Sequence, residues 1–187
     1  MNLAKTESVP LSFKTPHLYI RRYETSDDQA LFTAAIESIE HVYPFLPWCH
    51  PAYSIEETRE WLATITPDWN KGNGYGFGIF DIETKDLLGG CGFNRIDEHA
   101  VANLGYWIRA TALGRGVATE ATSALAEFAF KYARIRRIEI IMSVENEASR
   151  RVAEKAGATY EGRLRNRLYL HGKTHDAHCF SLIPDSV

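Results

Sequence analysis

The first residues in this 187-residue chain whose types and spacing could do chemistry are Gly114, Arg115 and Gly116. They stand where an alternating stretch (Ala102, Leu104, Tyr106, Ile108) gives way to a stripe at steps of four and three (Val117, Ala121, Leu125, Phe128, Tyr132). Alternation marks a strand, and the longer period marks an amphipathic helix. The first turn of a helix has N–H groups without intrahelical partners and the positive end of the helix dipole, so it attracts phosphate. Glycines there let a phosphate approach the backbone, and Arg115 adds a charge. A strand, a glycine loop and a helix start therefore point to a diphosphate-bearing ligand. The competing reading is a tight strand-to-helix turn. The loop lacks the Gly-Lys-Ser/Thr ending of a nucleotide-binding P-loop.

Other reactive side chains carry less. His171, His175 and His178 have the spacing of one helix face. They fall, however, in two antiparallel strands, Ala158–Leu170 and Thr174–Ile183, joined at His171-Gly172-Lys173. Alternate strand residues face opposite sides, so no metal site is expected there. Cys49, Cys91 and Cys179 are widely spaced with no CxxC, which fits a reducing cytoplasm and buried packing roles. No Cys–His pairing supports a thiol nucleophile. Tyr43-Pro-Phe45-Leu-Pro-Trp48-Cys-His-Pro51 has three prolines, which exclude a regular helix, and large apolar side chains that need cover. It reads as a hydrophobic connector or as the wall of a substrate pocket.

The elements that must position these residues follow in order. Residues 1–15 read as a loose leader, and His17–Tyr23 as a first strand. Thr25–Asp28 supplies capping oxygens to a helix striped by Leu31, Ala35, Ile39 and Val42. Ser54-Ile-Glu-Glu57 is a capping box opening a helix with Trp61, Ile65 and Trp69 on one face; Pro67 is expected to end or kink it. Tyr75, Phe77 and Ile79 alternate as a strand, and Glu83–Asp86 turns into the strand Leu87–Ile96. There Gly89, Gly90 and Gly92 imply close approach of another backbone, or a bulge. A further turn is expected near Asp97–His99. After the long helix come a strand at Arg136–Val144, a short helix at Asn146–Ala156 with Gly157 as C-cap, and the final hairpin. The order β-α-α-β-β-β-α-β-α-β-β predicts a mixed α/β (α+β) domain over 1–187, with about seven strands, mostly antiparallel, and about four helices.

Composition sets bounds. Apolar content of 45% and charged content of 24% are those of an ordinary globular chain, and a net charge of -3 gives no reason to expect nucleic-acid or membrane binding. The N-terminus lacks a signal-peptide pattern, and no uncharged apolar run approaches the roughly 20 residues that span a bilayer.

The element order resembles that of the GNAT superfamily of acetyl-CoA-dependent N-acetyltransferases. That family's cofactor signature, Gln/Arg-x-x-Gly-x-Gly/Ala, appears here as Leu113-Gly-Arg-Gly116-Val-Ala118, with Leu113 departing from the usual polar residue. Asn146-Glu-Ala-Ser149 with Lys155-Ala-Gly157 resembles the Asn-x-x-Ser…Lys-x-Gly-Phe run of the Rim-type ribosomal-protein N-terminal acetyltransferases, although Ala158 replaces the Phe. Tyr160-Glu161-Gly, Gly172-Lys-x-x-Asp176 and Phe45-Leu-Pro-Trp48 resemble further parts of that subgroup. The similarity runs from about His17 to the end of the chain.

The resemblance implies that acetyl-CoA is the cosubstrate and that no metal takes part. Backbone amides from Gly114 through Arg115, Gly116, Val117 and Ala118 to Thr119 would cradle its diphosphate. The strand Trp107-Ile108-Arg109 would pair with the pantetheine arm and polarise the thioester, and Asn146 would contact the arm or cap its helix. Many members carry a tyrosine acid seven positions after the Asn; here that position is Ala153, and Ser149 is the candidate acid instead. Glu161 is the candidate base, and Phe45 and Trp48 with Glu161 would line the substrate pocket. Acidic residues such as Glu37, Glu40 and Glu161 would favour a cationic acceptor. The implied protein is a cytoplasmic homodimer that acetylates a protein N-terminal amine. A small-molecule acceptor, or a non-catalytic acyl-CoA-binding module, are the alternatives.

Overall fold

The computed structural model describes residues 9–96 and 98–184. Residues 1–8 of the expected leader and Asp97 of the turn expected at 97–99 lie outside the described residues. Eight strands form one sheet: β1 (Ser12–Lys14), β2 (Leu18–Arg22), β3 (Gly74–Asp81), β4 (Leu87–Arg95), β5 (Val101–Ile108), β6 (Arg137–Ser143), β7 (Thr159–Leu170) and β8 (Lys173–Leu182). Their order is β1-β2-β3-β4-β5-β6-β8-β7. Every neighbouring pair is antiparallel except β5 and β6. The helices are α1 (Asp28–Ile36), α2 (Ile39–Val42), α3 (Ile55–Lys71), α4 (Val117–Tyr132) and α5 (Glu147–Lys155).

Three elements differ from the sequence expectation. Residues expected in the leader form β1, held because Phe13 stacks on Phe128 at 4.7 Å and meets Phe77 edge-on at 5.5 Å. The helix expected up to Val42 divides in two at Ser38. Its hydroxyl donates to the Ala34 carbonyl at 2.6 Å and accepts the Ala110 N–H at 3.0 Å, competing with the helical ladder. Pro67 does not end α3, which runs on to Lys71 and closes at Gly72 with φ 70°. Proline removes one backbone hydrogen bond, while buried Ile65 and Trp69 anchor the helix on both sides of it. The Ser54/Glu57 capping box is present, with Glu57 N–H to Ser54 Oγ at 3.2 Å and Ser54 N–H to Glu57 Oε2 at 2.9 Å.

The main core lies between α4 and one face of the sheet, where Leu125 and Phe128 meet Phe77, Phe93, Leu104 and Ile138. On the other face Leu31 of α1 and Leu62 and Ile65 of α3 join Tyr23, Phe80 and Leu87. One irregularity matters for function. The parallel pairing of β5 with β6 covers only Val101–Asn103 against Arg137–Glu139. Beyond it β6 stays on β8, from Ile140 opposite Phe180 to Ser143 opposite Ala177. Leu104–Ile108 therefore has no strand partner on that side, and the sheet opens into a V.

Candidate active site

The open V holds a cleft of about 720 Å³, floored by Leu104–Ile108 and Ile140–Ser143 and walled by the starts of α4 and α5. Gly116 is the N-cap of α4 with φ 81°, Gly114 precedes it with φ 73°, and no side chain caps the helix. The first intrahelical bond runs from Glu120 N–H to Gly116 O at 3.0 Å. The N–H groups of Val117, Ala118 and Thr119 thus have no partner within the helix, and Gly114 and Gly116–Thr119 all line the cleft. Arg151 and Lys155, four apart on α5, line it too. This is a built anion cradle, and it fits a diphosphate.

The β5 wall has a definite polarity. Arg109 N–H bonds to Leu88 O at 2.7 Å, toward β4, so strand alternation turns the peptide groups of Ile108 to the open side. His41 Nε2 lies 2.8 Å from the Ile108 carbonyl. A carbonyl only accepts, so Nε2 carries the proton in that contact. At the mouth of α5, Asn146 caps the helix by accepting Ser149 N–H at 3.0 Å. The Tyr106 hydroxyl donates to Ser149 Oγ at 3.0 Å, which leaves the Ser149 hydrogen free to point into the cleft. Burial pushes the Tyr106 pKa up, opposed by its hydrogen bond to Ser149, so the phenol stays protonated at neutral pH.

The structure brings Trp107, Ile108, Gly114, Gly116–Thr119, Asn146, Ser149 and Phe45 to this cleft. Others it places elsewhere. The Arg109 guanidinium forks onto Glu37 at 2.6 and 2.9 Å, whereas Glu40 lines the cleft. Arg115 pairs with Asp81 at 3.1 Å. Glu161, on β7, is not among the described residues lining the cleft. Both its oxygens take Arg137 N–H groups, and Ser181 Oγ donates to it at 2.7 Å. The Arg137 guanidinium, then Ser181, hold its pKa down at about 2. A carboxylate so held is a poor proton acceptor at neutral pH.

Trp48 lines a second cavity, of about 330 Å³, between α3 and the sheet, together with Tyr23, Trp61, Asp68, Tyr75, Asn94, Asn103 and Trp107. Leu46, Gly105, Tyr106 and Trp107 line both cavities, so the two meet on β5. The segment read as either connector or pocket wall is both: Cys49 is buried in a small cluster with Val42 and Ala35, while Trp48 meets Trp107 at 5.6 Å. Close packing explains the β4 glycines. A Cβ on Gly89 would stand 2.2 Å from Trp107 O, and one on Gly92 2.8 Å from Tyr75 O. The pairing of β3 with β4 also carries an irregularity at Ile79/Phe80.

His171, His175 and His178 contact Tyr43 O, Glu145 and Tyr160 respectively, and none shares a partner with another. Among the described residues no group of His, Cys, Asp and Glu could hold a metal. All three cysteines are free and buried; desolvation pushes the Cys49 thiol up to about 11 and Cys91 further, which makes both inert.

A V-shaped sheet with an uncapped glycine-started helix at its mouth defines the class of site that takes a diphosphate-bearing ligand. The model of the acetyltransferase (GNAT) domain family matches residues 17–159, and the chain belongs to that family. Its relatives include YdaF of Bacillus subtilis (strain 168), 31% identical over 172 residues, covering 89% of this chain and 91% of that one. The ribosomal-protein-serine acetyltransferase of Escherichia coli (strain K12) is 30% identical over 142 residues, covering 75% and 78%. Among solved structures, RimL, a ribosomal L7/L12 alpha-N-protein acetyltransferase in complex with coenzyme A, superimposes with a TM-score of 0.83 at 27% identity, covering 94% and 97%. The protein is a Rim-like acetyltransferase that moves an acetyl group from acetyl-CoA to an amine.

Sequence reasoning missed several residues here. Tyr106 counted only as one of a strand's alternating positions, although a hydroxyl in a row of Ala, Leu and Ile was a visible signal. Arg151 and Lys155 carried a signal in their spacing of four. Tyr23, Trp61 and Tyr75 gave none, because long-range packing alone assembles them.

Proposed function

We propose that the acceptor is the α-amine of a protein N-terminus and that Ser149 is the acid of the reaction. The observation that carries this reading is the meeting of the two cavities at Gly105–Trp107, with the Tyr106–Ser149 hydroxyl pair in the cleft. Acetyl-CoA, when bound, supplies an activated thioester. The uncapped amides of Val117–Thr119, with Arg151 and Lys155, hold its diphosphate. The free edge of β5 at Ile108 pairs with its amide arm and aligns the acyl group, which can remove several kcal/mol of barrier without a covalent intermediate. Ser149 donates its hydrogen to the departing sulfur, held in that orientation by Tyr106, and regains a proton from the ammonium formed on attack, relayed by water. An α-amine has a pKa near 8, so a usable fraction is neutral at pH 7 and water can carry its proton away. The base role considered for Glu161 has no support in its position or its pKa.

The names of the ribosomal-protein acetyltransferases among its relatives support a protein terminus. The modest size of the second cavity favours the rival reading, a small-molecule amine. Thiol release from acetyl-CoA against short peptides and matched free amines decides between them. We further place the chain in the cytoplasm as a homodimer without nucleic-acid or membrane partners. Buried free thiols support that compartment. No helix among the described residues is long and apolar enough to cross a membrane. The outer strand β7, with Tyr160 and Tyr169 exposed along it, supports self-association. Light scattering in solution checks the dimer.

A further inference from the structure

The second cavity has a composition that names a substrate. On β3, β4 and β5 the residues facing α3 fall into register: Gly76, Gly92 and Gly105 in one row, Gly78, Gly90 and Trp107 in the next, and Gly74, Asn94 and Asn103 in the third. Tyr23, Ile65, Phe80, Asn94, Trp107 and the backbone of Tyr75 close over the other glycines of these rows, which leaves the backbone bare at Gly105. Around the cavity stand Tyr23, Trp48, Trp61 and Tyr75, with Asp68 as the carboxylate of the lining. Among the described residues that line it, none is a Lys, Arg or His. Such walls do not suit an anionic group, and one carboxylate does not suit a polyamine.

Gly105 sharpens the point. For each of the other glycines either a positive φ or a neighbour within 3 Å of where a Cβ would sit accounts for the missing side chain. At Gly105 the backbone is ordinary strand and a Cβ would meet nothing within 4 Å. Neither the fold nor packing requires glycine there. The space it leaves opens where the two cavities meet.

We propose that this cavity selects a primary amine carrying a flat aromatic ring near the nitrogen, the ring lying over the uncovered backbone at Gly105 among Trp48, Trp61 and Trp107. This rests on the acetyltransfer reading above, because it places the amine at the junction on β5. A flat ring fits over backbone that no side chain covers, and aromatic pairs gain beyond their buried area in offset or edge-to-face geometry. The ring comes either from a free arylalkylamine or from an aromatic residue at a peptide N-terminus.

The test compares amines of similar shape differing in flatness, with kcat/KM taken on the neutral amine so that their different basicities drop out. 2-Phenylethylamine is set against 2-cyclohexylethylamine, and Phe-Ala-Ala amide against its cyclohexylalanine analogue, on the full chain with acetyl-CoA. The aryl member should win in kcat/KM by roughly two- to tenfold, the range expected of one aromatic contact. The pair that turns over identifies the source of the ring. Trp61→Leu should erase the preference and leave coenzyme A affinity unchanged. Gly105→Ala should raise KM for the aryl amine at least several-fold without lowering the melting temperature. Binding to coenzyme A-loaded protein is read separately by tryptophan fluorescence, since three of the four tryptophans line the cavity. Ring-selective binding without turnover supports the cavity and sinks the acetyltransfer reading. Turnover with no ring preference does the opposite, and neither binding nor turnover overturns both.

Discussion

Ser149→Ala should lower kcat by roughly a hundredfold while leaving the affinity for acetyl-CoA within about threefold, the low end of what a positioned acid contributes. The low end follows from the chemistry, since a thiol of ordinary pKa near 8.5 leaves with limited proton help. The fold should survive, because the Asn146 cap bonds the backbone N–H of Ser149 and not its hydroxyl. Tyr106→Phe removes one 3.0 Å hydrogen bond to Ser149 Oγ and keeps the ring. At roughly 0.5–1.5 kcal/mol for such a bond, kcat should fall about two- to tenfold. Since Tyr106 acts only through Ser149, the double variant should match Ser149→Ala alone. The assay is thiol release under saturating amine, followed by single-turnover rates. In native protein kcat/KM should climb with pH through the amine's own pKa near 8. Burial raises Tyr106 above its ordinary 10.0, so its loss of a proton adds no falling limb below about pH 10. An S149A variant within threefold of native, or a double variant with multiplied losses, refutes the relay.

Three further outcomes are expected. Glu161→Gln should leave turnover unchanged and cost about 1 kcal/mol at pH 7, a discounted figure because the carboxylate is 37% exposed. A depressed carboxylate stabilises the fold above its unfolded pKa near 4.5, and that contribution is lost as pH falls to about 2; urea titrations at pH 7 and pH 2 should therefore differ and then converge for the two proteins. Gly116→Ala forces a side chain into φ 81°, which costs roughly 1–2 kcal/mol and sets a methyl at the anion cradle. Calorimetry should show acetyl-CoA binding weakened by about tenfold or more, since several amide contacts shift together. Leu125→Ala, at a fully buried position of α4, should destabilise by roughly 3 kcal/mol or more in chemical denaturation without changing KM.

The grouping of Gly114, Gly116, Asn146 and Ser149 along one cleft was legible because each is placed locally. Gly114, Gly116, Asn146 and Ser149 are set by the backbone of one loop and two helix starts, and a helix start announces itself in a few consecutive residues. The alternation of Ala102–Ile108 also located β5 correctly. What it could not show was the loss of pairing with β6 after Asn103, a property of two strands far apart in sequence. Side chains that reach across the fold were the least legible. Arg109 and Arg115 stood next to the loop in sequence, yet Glu37 and Asp81 take their guanidinium groups. Glu161 lay in a family-like motif, yet Arg137 claims it. Ser38 broke a helix because its hydroxyl serves Ala34 and Ala110 at once. Pro67 does not end α3, since packing on both sides outweighs one missing hydrogen bond. The second cavity was not legible, because the register of three strands is what brings Asn94, Asn103 and Gly105 under α3.

The most direct test of the central claim is acetyl transfer itself. Purified protein is mixed with acetyl-CoA and a panel of short peptides and free primary amines, with thiol release and the mass of the acceptor followed together. The account predicts stoichiometric thiol release and one acetyl group on the amine nitrogen, with Ser149→Ala slowing both by roughly a hundredfold. Tight coenzyme A binding with no acetylated product from any amine, native and S149A alike, would contradict it.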